Sequence, residues 1–481
     1  MVGERHGGAV QVTTLIKNGT VITATGADPA DVLVDGEQIA AVMQPGSDVS
    51  ASAERGAERV IDAAGLYVIP GGVDGHTHME LPFGGTNASD DFENGTRAAA
   101  WGGTTTIIDF SVQTEGANVR DCLDQWFSKA EGNCAIDYAF HQILGGVDDQ
   151  SLKDMDALVN EGITSFKLFM AYPGVFYSDD AKILRAMQQA ADNGALIMMH
   201  AENGIAIDLL AQQAVERGDT APVNHGRVRR AELEGEATFR AIQLAKVGAC
   251  PLYIVHLSCS EALEQVMVAR NKGANVFAET CPQYLYLNLE DHLGRPGFEG
   301  AGYVCSSPLR TKHEHHHQDL WQGLRTNDLS VVATDHCPFC MKDQKELGID
   351  DFRAIPNGIG GVEHRMDLLY QGVVNGEISL PRWVELCATT PARMFGLYPR
   401  KGTIQSGADA DIVLYDPNRN WTISVDNHHM NMDYSAYEGV EINGHVHTVM
   451  SRGRVIIEND TYHGNAGHGQ YLRRGLSQYL I

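Results

Sequence analysis

Residues 67–78 read Tyr-Val-Ile-Pro-Gly-Gly-Val-Asp-Gly-His-Thr-His, a short apolar run that leads into a His-x-His pair. Seven further apolar runs follow, each separated from the next by a helix-like segment. The eight runs cover residues 67–69, 104–109, 136–140, 164–169, 196–199, 252–255, 274–278 and 330–333. Continuous apolar strands that alternate with helices indicate a parallel sheet covered on both faces, and eight repeats predict an α/β fold, the (β/α)8 or TIM barrel. A doubly wound open sheet is the alternative.

The two ends of the chain carry a different, β-type pattern. Two turn pairs, Asn18-Gly19 and Asp35-Gly36, stand between apolar runs and predict two hairpins. Near the other end, strand-like runs cover 411–415, 447–450 and 455–457, with the turn Arg452-Gly453 between the last two. We therefore expect one small β-sandwich domain that is built from both chain ends and interrupted by the barrel.

This change of pattern also predicts the domain organisation. Residues 1–70 and 397–463 are expected to form the two parts of the sandwich, and residues 71–396 the barrel. Residues 464–481 are expected to form a C-terminal tail, in which two arginines and two tyrosines suit a contact with a neighbouring subunit. A disordered tail is the alternative.

The composition argues against several classes of protein. In 481 residues, 36 Lys and Arg stand against 62 Asp and Glu, which makes the formal net charge −26. Nucleic acids and anionic membranes bind clustered basic residues, so we expect neither as a partner.

The first residues lack an export signal, no apolar stretch is long enough to span a membrane, and the nine cysteines are scattered. These features predict a cytoplasmic protein with reduced thiols, and the Cys337–Cys340 pair is expected to be structural.

Side chains that can bind a metal follow several of the predicted barrel strands. They are His76, His78, Lys167, His200, His256 and Asp335. In a barrel the carboxyl ends of the strands share one face, and active sites are built there. Side chains at positions i and i+2 of an extended segment point to the same side, so His76 and His78 can reach one cation. The joint placement predicts a metal site. The histidine-dense segment at 312–317 is instead expected to be solvated surface, because its adjacent residues do not converge.

Lys167 is unusual in this set because a protonated lysine repels cations. Burial beside positive charge is expected to lower its pKa, and the neutral amine can then react with carbon dioxide to form a carbamate that bridges two metals. A Schiff-base lysine of an aldolase and a lysine that extends to solvent from the barrel rim are the alternatives. An aldolase does not need four histidines and an aspartate around its lysine. Two divalent ions at such a site would generate hydroxide near neutral pH and polarise a carbonyl group.

The ordered motifs resemble those of the amidohydrolase superfamily and, more narrowly, of the dihydropyrimidinase and D-hydantoinase family. The matching stretches are Gly71-Gly-Val-Asp-Gly-His-Thr-His78, Phe166-Lys167, His200-Ala-Glu-Asn203, His256-Leu-Ser258 and Ala333-Thr-Asp-His336. The resemblance extends over essentially the whole chain. It implies two divalent metal ions, usually Zn2+, and a homotetramer.

The resemblance also implies a role for each ligand. His76, His78 and Asp335 would bind one ion, His200 and His256 the other, and N6-carboxylysine at Lys167 would bridge them together with a hydroxide. The expected activity is hydrolysis of the cyclic amide bond of dihydropyrimidines or 5-substituted hydantoins to N-carbamoyl amino acids. In that reaction the bridging hydroxide attacks the ring carbonyl, and Asp335 accepts a proton and returns it to the leaving nitrogen.

Three more positions match the substrate contacts of that family. Tyr172 would donate its hydroxyl to the oxyanion that develops on the cyclic imide substrate. Ser306 and Asn357 would hydrogen-bond the other amide edge of the ring, largely through the main chain. Without the resemblance these residues would be interpreted as a packed aromatic, a turn serine and a turn asparagine. Loops around 81–83 and 337–355 are expected to border the pocket for the ring substituent.

Three alternatives concern the substrate or the absence of activity. An allantoinase-like enzyme would open a related ureide ring. A dihydroorotase is disfavoured because Glu80 stands where those enzymes usually have an arginine that binds the substrate carboxylate. A non-catalytic scaffold relative would have lost its metal ligands, whereas all six ligand positions are present in this chain.

Overall fold

The protein is described by a computed structural model that covers residues 13–479. The N-terminal residues, on which the absence of an export signal was predicted, lie outside this range. The strands, in chain order, are β1 (Thr13–Thr23), β2 (Gly26–Asp35), β3 (Gln38–Met43), β4 (Arg59–Asp62), β5 (Tyr67–Pro70), β6 (Gly72–Thr77), β7 (Pro82–Phe83), β8 (Thr86–Asn87), β9 (Thr104–Val112), β10 (Asp137–Ile143), β11 (Ser165–Phe169), β12 (Leu196–His200), β13 (Leu252–Ile254), β14 (Val276–Thr280), β15 (Val331–Val332), β16 (Ile412–Thr422), β17 (Glu441–Ser451), β18 (Arg454–Glu458) and β19 (Thr461–Tyr462).

Helices separate most of the strands. The α-helices are α1 (Asp48–Gly56), α2 (Phe92–Trp101), α3 (Val119–Ala130), α4 (Asp149–Asn160), α5 (Asp180–Asn193), α6 (Gly204–Glu216), α7 (Val223–Val228), α8 (Ala231–Val247), α9 (Ser260–Asn271), α10 (Pro282–Tyr286), α11 (His316–Thr326), α12 (Arg365–Val374), α13 (Leu380–Val384) and α14 (Thr390–Met394). Short 3-10 or π turns cover Leu289–Leu293, Glu299–Tyr303, Lys345–Gly348, Phe352–Ala354 and Glu385–Thr389. No helix within residues 13–479 is long and apolar enough to cross a membrane.

Eight parallel strands form the predicted barrel. They pair in the order β6, β9, β10, β11, β12, β13, β14 and β15. A parallel bridge joins Thr77 of β6 to His336 in the segment after β15 and brings the sheet close to closure. The strands are almost entirely buried, because side chains fill the barrel and helices cover it outside. The (β/α)8 prediction is therefore confirmed.

The prediction of the first barrel strand was wrong. The run 67–69 lies in β5, which pairs with β1 and β16 in the other sheet. The first barrel strand is β6, Gly-Val-Asp-Gly-His-Thr, which contains His76. A search for apolar runs misses β6 because several of its buried side chains are polar. Asp74, for example, accepts a hydrogen bond from the Thr334 hydroxyl at 2.6 Å inside the barrel. The other seven runs overlap β9 to β15.

Strands from both chain ends form one nine-stranded mixed sheet with its own small apolar core. The hairpin predicted at Asp35-Gly36 joins β2 to β3, and the turn Arg452-Gly453 joins β17 to β18. The hairpin predicted at Asn18-Gly19 was wrong. Asn18 has a φ of 65°, but β1 continues through it with an irregularity in its pairing to β2. The domain boundaries inferred above remain a prediction.

Described through residue 479, the C-terminal tail lies against the barrel of its own chain. The Tyr471 ring packs on Phe127 with ring centroids 4.8 Å apart, and Leu472 is completely buried. Arg474 is buried as well and donates to the Phe140 carbonyl at 2.6 Å and the Ser165 hydroxyl at 2.8 Å. The disordered alternative is wrong for this segment. Tyr471 and Arg474 use their side chains within the chain rather than leaving them free for a neighbour.

Candidate metal centre

Three predicted ligands converge at the carboxyl end of the barrel. The Nε2 atoms of His76 and His78 are 3.2 Å apart, and they lie 3.1 and 3.2 Å from Oδ1 of Asp335. Within residues 13–479, this is the one group of three His, Cys, Asp or Glu residues whose ligand atoms all lie within 4.8 Å of one another. Two imidazoles and a carboxylate at this separation suit a divalent cation.

The remaining predicted ligands surround the same point. Lys167 Nζ is 3.5 Å from His76 Nε2. The ring of His256 is centred 5.6 Å from His76 and 4.6 Å from His200. The residues come from β6, β11 and β12 and from the segments after β6, β13 and β15, as expected when parallel strands end on one face. The structure thus brings all six sequence-predicted ligands together.

Two of the predicted ligands and one predicted substrate contact have an unusual backbone conformation. Asp335, His256 and Tyr172 have positive φ angles of 50°, 39° and 62°. Non-glycine residues rarely adopt this left-handed region, and such conformations persist where the surrounding structure requires them. The sharp turns after the strands direct these three side chains into the cavity.

A carboxylate that the sequence analysis missed orients His76. Glu279, completely buried at the end of β14, hydrogen-bonds Nδ1 of His76 through Oε1 and accepts from the Tyr253 hydroxyl at 2.7 Å through Oε2. The His256 backbone N–H also donates to Oε1, at 3.2 Å. With Nδ1 engaged, His76 presents Nε2 to the cluster. Buried carboxylates of this kind hold metal-binding histidines in one tautomer and orientation.

A second missed group orients His200. Its Nε2 lies 2.7 Å from Oε2 of Glu202, and the buried Arg229 donates to the same oxygen at 2.7 Å. This arrangement leaves Nδ1 of His200 for a ligand role. The sequence offered one signal for Glu202, because this residue belongs to the His-Ala-Glu-Asn stretch at 200–203 that resembles the family motif. Glu279 and Arg229 had no signal because their partners are distant in sequence.

Burial and nearby charge set the protonation of the cluster. Burial lowers the pKa of Lys167 to about 8, although Asp335 and Glu279 favour its charged form. Burial likewise lowers the pKa of His78 to about 4, and neutral imidazole is the form that binds metal. For Asp335, burial opposes ionisation, but the neighbouring His76, His78 and His256 together outweigh it and keep the carboxyl pKa well below its usual range.

The predicted substrate contacts meet beside the ligands. The Asn357 side-chain amide donates to Ser306 Oγ at 3.0 Å and lies 3.4 Å from the Tyr172 hydroxyl. Burial raises the pKa of Tyr172 to about 12, so its hydroxyl keeps the proton that it would donate. A cavity of about 50 Å³ joins these groups to the ligands and is lined by His78, Leu81, Phe83, Ile143, Lys167, Phe169, Tyr172, Phe176, His200, His256, Ser306, Asp335, Cys337, Asn357 and Gly358.

A larger cavity of about 950 Å³ shares Phe83, Tyr172 and Asn357 with the first. Its wall includes the β7–β8 hairpin, Val175, Ile207, Val228 and Phe352. The loops expected to border a substituent pocket therefore do line the approach to the ligands. Glu80 lines neither cavity, and its carboxylate is 3.9 Å from Lys129 Nζ. The argument from Glu80 against a dihydroorotase thus has no support in this geometry.

Two other sequence features lie outside the centre. Residues 312–315 are exposed as expected, whereas His316 is buried and accepts a hydrogen bond from the Ser260 N–H at 3.1 Å. All nine cysteines are unpaired, and all but Cys340 are buried.

Comparison with known proteins agrees with this geometry. The model of the amidohydrolase family matches residues 67–456. The D-hydantoinase of Streptomyces coelicolor is 61% identical over 467 residues, which are 97% of this chain and 99% of that protein. The D-hydantoinase of Geobacillus stearothermophilus is 47% identical, with 96% and 97% covered. The crystal structure of dihydropyrimidinase from Brevibacillus agri NCHU1002 superposes with a TM-score of 0.93 at 45% identity, with 96% and 99% covered.

The fold and the ligand cluster define a barrel protein with a divalent metal centre. The chain belongs to the amidohydrolase family and, within it, to the group of hydantoinases and dihydropyrimidinases. The family implies a metal centre, and the donor set fits one, because the ligand atoms of two buried imidazoles and an aspartate carboxylate lie within 4.8 Å of one another.

Proposed function

We propose that this protein hydrolyses the cyclic amide bond of 5-substituted hydantoins and of dihydropyrimidines to give N-carbamoyl amino acids. The observation that carries the proposal is the convergence of six ligand side chains beside Tyr172, Ser306 and Asn357. The relatives named D-hydantoinase and dihydropyrimidinase support the substrate class. An allantoinase-like activity remains the second candidate within the same mechanism.

The metal content is part of the same proposal. His76, His78 and Asp335 would hold one divalent ion, His200 and His256 a second, and Lys167 would join both as the N6-carboxylated form, with Zn2+ the expected metal. When bound, the ions would lower the pKa of a water and polarise the ring carbonyl. The lowered pKa of Lys167 supports the carboxylation, because the neutral amine is the form that reacts with carbon dioxide.

The side chains of the chain would divide the remaining work. Asp335 is ionised, so its carboxylate can accept the proton of the attacking water and return it to the ring nitrogen as the C–N bond breaks. The protonated Tyr172 hydroxyl would donate to the oxygen of the attacked carbonyl as negative charge develops on it. Ser306 and Asn357 would hold the opposite amide edge of the ring. The wide outer cavity, with Phe83 at its junction to the ligands, would accommodate the 5-substituent.

The test is ring opening of dihydrouracil, 5-phenylhydantoin, allantoin and dihydroorotate, with the bound metal quantified on the same sample. We expect about two metals per chain and opening of dihydrouracil or the hydantoin. Opening of allantoin alone would favour the second candidate. Absence of both metal and activity after addition of zinc and bicarbonate would indicate the non-catalytic scaffold and would contradict the proposal.

Asp335→Asn tests the proton transfer. The amide keeps the size of the side chain but cannot accept a proton, so we expect kcat to fall at least about 1000-fold, within the range that general acid–base groups supply. Metal content must be measured in parallel, because Asp335 is also a proposed ligand. A variant with near-normal kcat would refute the role.

A homotetramer and a cytoplasmic location complete the proposal. The tetramer is expected from the resemblance and the location from the sequence. Light scattering of the purified protein and fractionation of producing cells test them, and a monomer or an exported protein would contradict the respective part.

A further inference from the structure

A buried lysine that the proposed reaction does not use lies beneath the substrate contacts. Lys345 begins a short 3-10 turn and is completely buried. Its Nζ donates to three backbone carbonyls, those of Val304 at 3.0 Å, Pro356 at 2.7 Å and Gly358 at 2.9 Å. An ammonium group has three N–H donors and no acceptor, so the three carbonyls use its full capacity.

The three carbonyls belong to the two loops that carry the proposed ring contacts. Val304 lies two residues before Ser306, and Pro356 and Gly358 flank Asn357 on either side. The loops also contact each other directly, since the Gly358 N–H donates to the Val304 carbonyl at 3.0 Å. Lys345 is therefore bonded to both loops at the point where they meet.

The preceding residue extends the same connection to the outer cavity. The Gln344 side-chain amide donates to the Thr86 hydroxyl at 3.0 Å and to the Asn87 carbonyl at 2.7 Å, both in the β7–β8 hairpin. Its oxygen accepts from the Cys340 N–H at 2.7 Å. Gln344 and Lys345 together thus hold three segments that border the ligand cavity.

We propose that Lys345 is a positioning residue for substrate binding, whose ammonium holds the loops of Ser306 and Asn357 in the arrangement that receives the amide edge of the ring. This inference rests on the proposed function and deepens it. The neutral amine has two N–H donors and a lone pair, so it cannot satisfy all three carbonyls. Loss of the proton would weaken ring binding.

The surroundings of Lys345 bring that proton loss into an accessible pH range. Burial lowers the pKa of Lys345 to about 7, with only the Cys305 and Cys337 thiols acting to raise it as neighbouring titratable groups. His225 faces the same region and hydrogen-bonds the Cys305 carbonyl at 2.8 Å; burial lowers its pKa to about 3, so it remains neutral. The three carbonyl acceptors favour the charged form of Lys345.

Lys345→Met tests the proposal, because methionine retains most of the length but has no donor. With 5-phenylhydantoin as the substrate at pH 6.5, we expect KM to rise about tenfold or more, kcat to change less than about threefold, and metal content to remain that of the wild type. Lys342→Met, three residues earlier and exposed, is the matched control and should leave KM unchanged. If Lys345→Met does not fold, Lys345→Gln, which keeps two N–H donors, replaces it in the same comparison.

The pH dependence separates positioning from a purely structural role. We expect the ratio of the variant KM to the wild-type KM to decrease between pH 6 and pH 9, as the wild-type lysine loses its proton. Ionisation of the substrate or the metal site affects both proteins and cancels in the ratio. A wild-type KM in the variant, a ratio independent of pH, or a loss of metal would overturn the inference. If the wild-type enzyme opens no ring, the proposed function itself fails and this inference fails with it.

Discussion

Glu279 shows how one side chain controls the geometry of its neighbours. Its two oxygens bind the His76 ring, the His256 backbone and the Tyr253 hydroxyl within the buried end of β14. Because a metal binds only if the imidazole nitrogen points at it, we expect the carboxylate to influence metal affinity through His76. Residues in this position typically change metal affinity by 10–100-fold when they are mutated.

We therefore expect Glu279→Gln to weaken metal binding by about 10–100-fold. The amide has the same size but lacks the charge. Its NH2 group is itself a donor and would face one of the N–H or O–H groups that now donate to Glu279. Metal retained after dialysis against graded chelator concentrations measures the effect. Glu264→Gln, an exposed substitution of the same kind on α9, is the control. Equal metal retention in the two variants would contradict the orienting role.

At the scale of elements, the C-terminal tail packs on the barrel, and we expect this packing to stabilise it. Leu472 and Leu476 have the same side chain in the same segment, but Leu472 is completely buried and Leu476 is 45% exposed. We expect Leu472→Ala to lower the free energy of unfolding by about 2–5 kcal/mol through the lost apolar contacts and the cavity left behind. Leu476→Ala should lower it by about 0.5 kcal/mol or less.

Urea unfolding monitored by circular dichroism measures both variants. A similar, small effect of the two substitutions would mean that the tail does not contribute to barrel stability. Truncation after Gly467 removes all of these contacts and should destabilise more than either point variant. A change in oligomeric state after truncation would then report lost stability as well as any lost contact.

For the whole molecule, a buried ion cluster joins the two sheets. Lys401 Nζ lies 2.6 Å from Asp137 at the start of β10 and 2.7 Å from Asp411 just before β16. Arg452 also contacts Asp137, at 3.0 Å. Burial opposes ionisation of Asp137, but Lys401 and Arg452 outweigh it and lower its pKa. This carboxylate thus adds stability above its unfolded pKa of 3.8, and the contribution is lost as the pH falls through the lower folded value.

Lys401→Met would leave the carboxylates of Asp137 and Asp411 buried with less positive charge beside them. We expect the free energy of unfolding at pH 7 to fall by about 3–5 kcal/mol, as for other buried pairs from which one partner is removed. The pKa of Asp137 should rise, so stability should begin to decrease at a higher pH than in the wild type. Urea unfolding at pH 7 and pH 5 tests both points, with the exposed Lys272→Met as the control. Unchanged stability at both pH values would show that the cluster does not join the sheets energetically.

The amino-acid sequence alone determined the barrel and the strands at both chain ends, and it predicted the six side chains that the structure brings together as candidate ligands. These features follow from local signals. The signals are short apolar runs, turns that contain glycine, and ligand side chains at strand ends, where barrel geometry requires them to meet. The one barrel strand that was missed, β6, departs from the apolar pattern because it carries His76 and the buried Asp74 in the barrel interior.

Only the tertiary structure decided which groups support the site. Glu279, Arg229 and Lys345 are, in sequence, a glutamate, an arginine and a lysine on unremarkable segments, and nothing local distinguishes them from surface charges. Their roles arise from partners that are far away along the chain, such as Glu279 with His76 or Lys345 with Val304. The tail illustrates the same limit, since burial of Leu472 and Arg474 depends on the barrel surface that folding creates. Hydrogen bonds and burial of this kind exist only once the chain has closed, and for that physical reason no reading of residue order could reveal them.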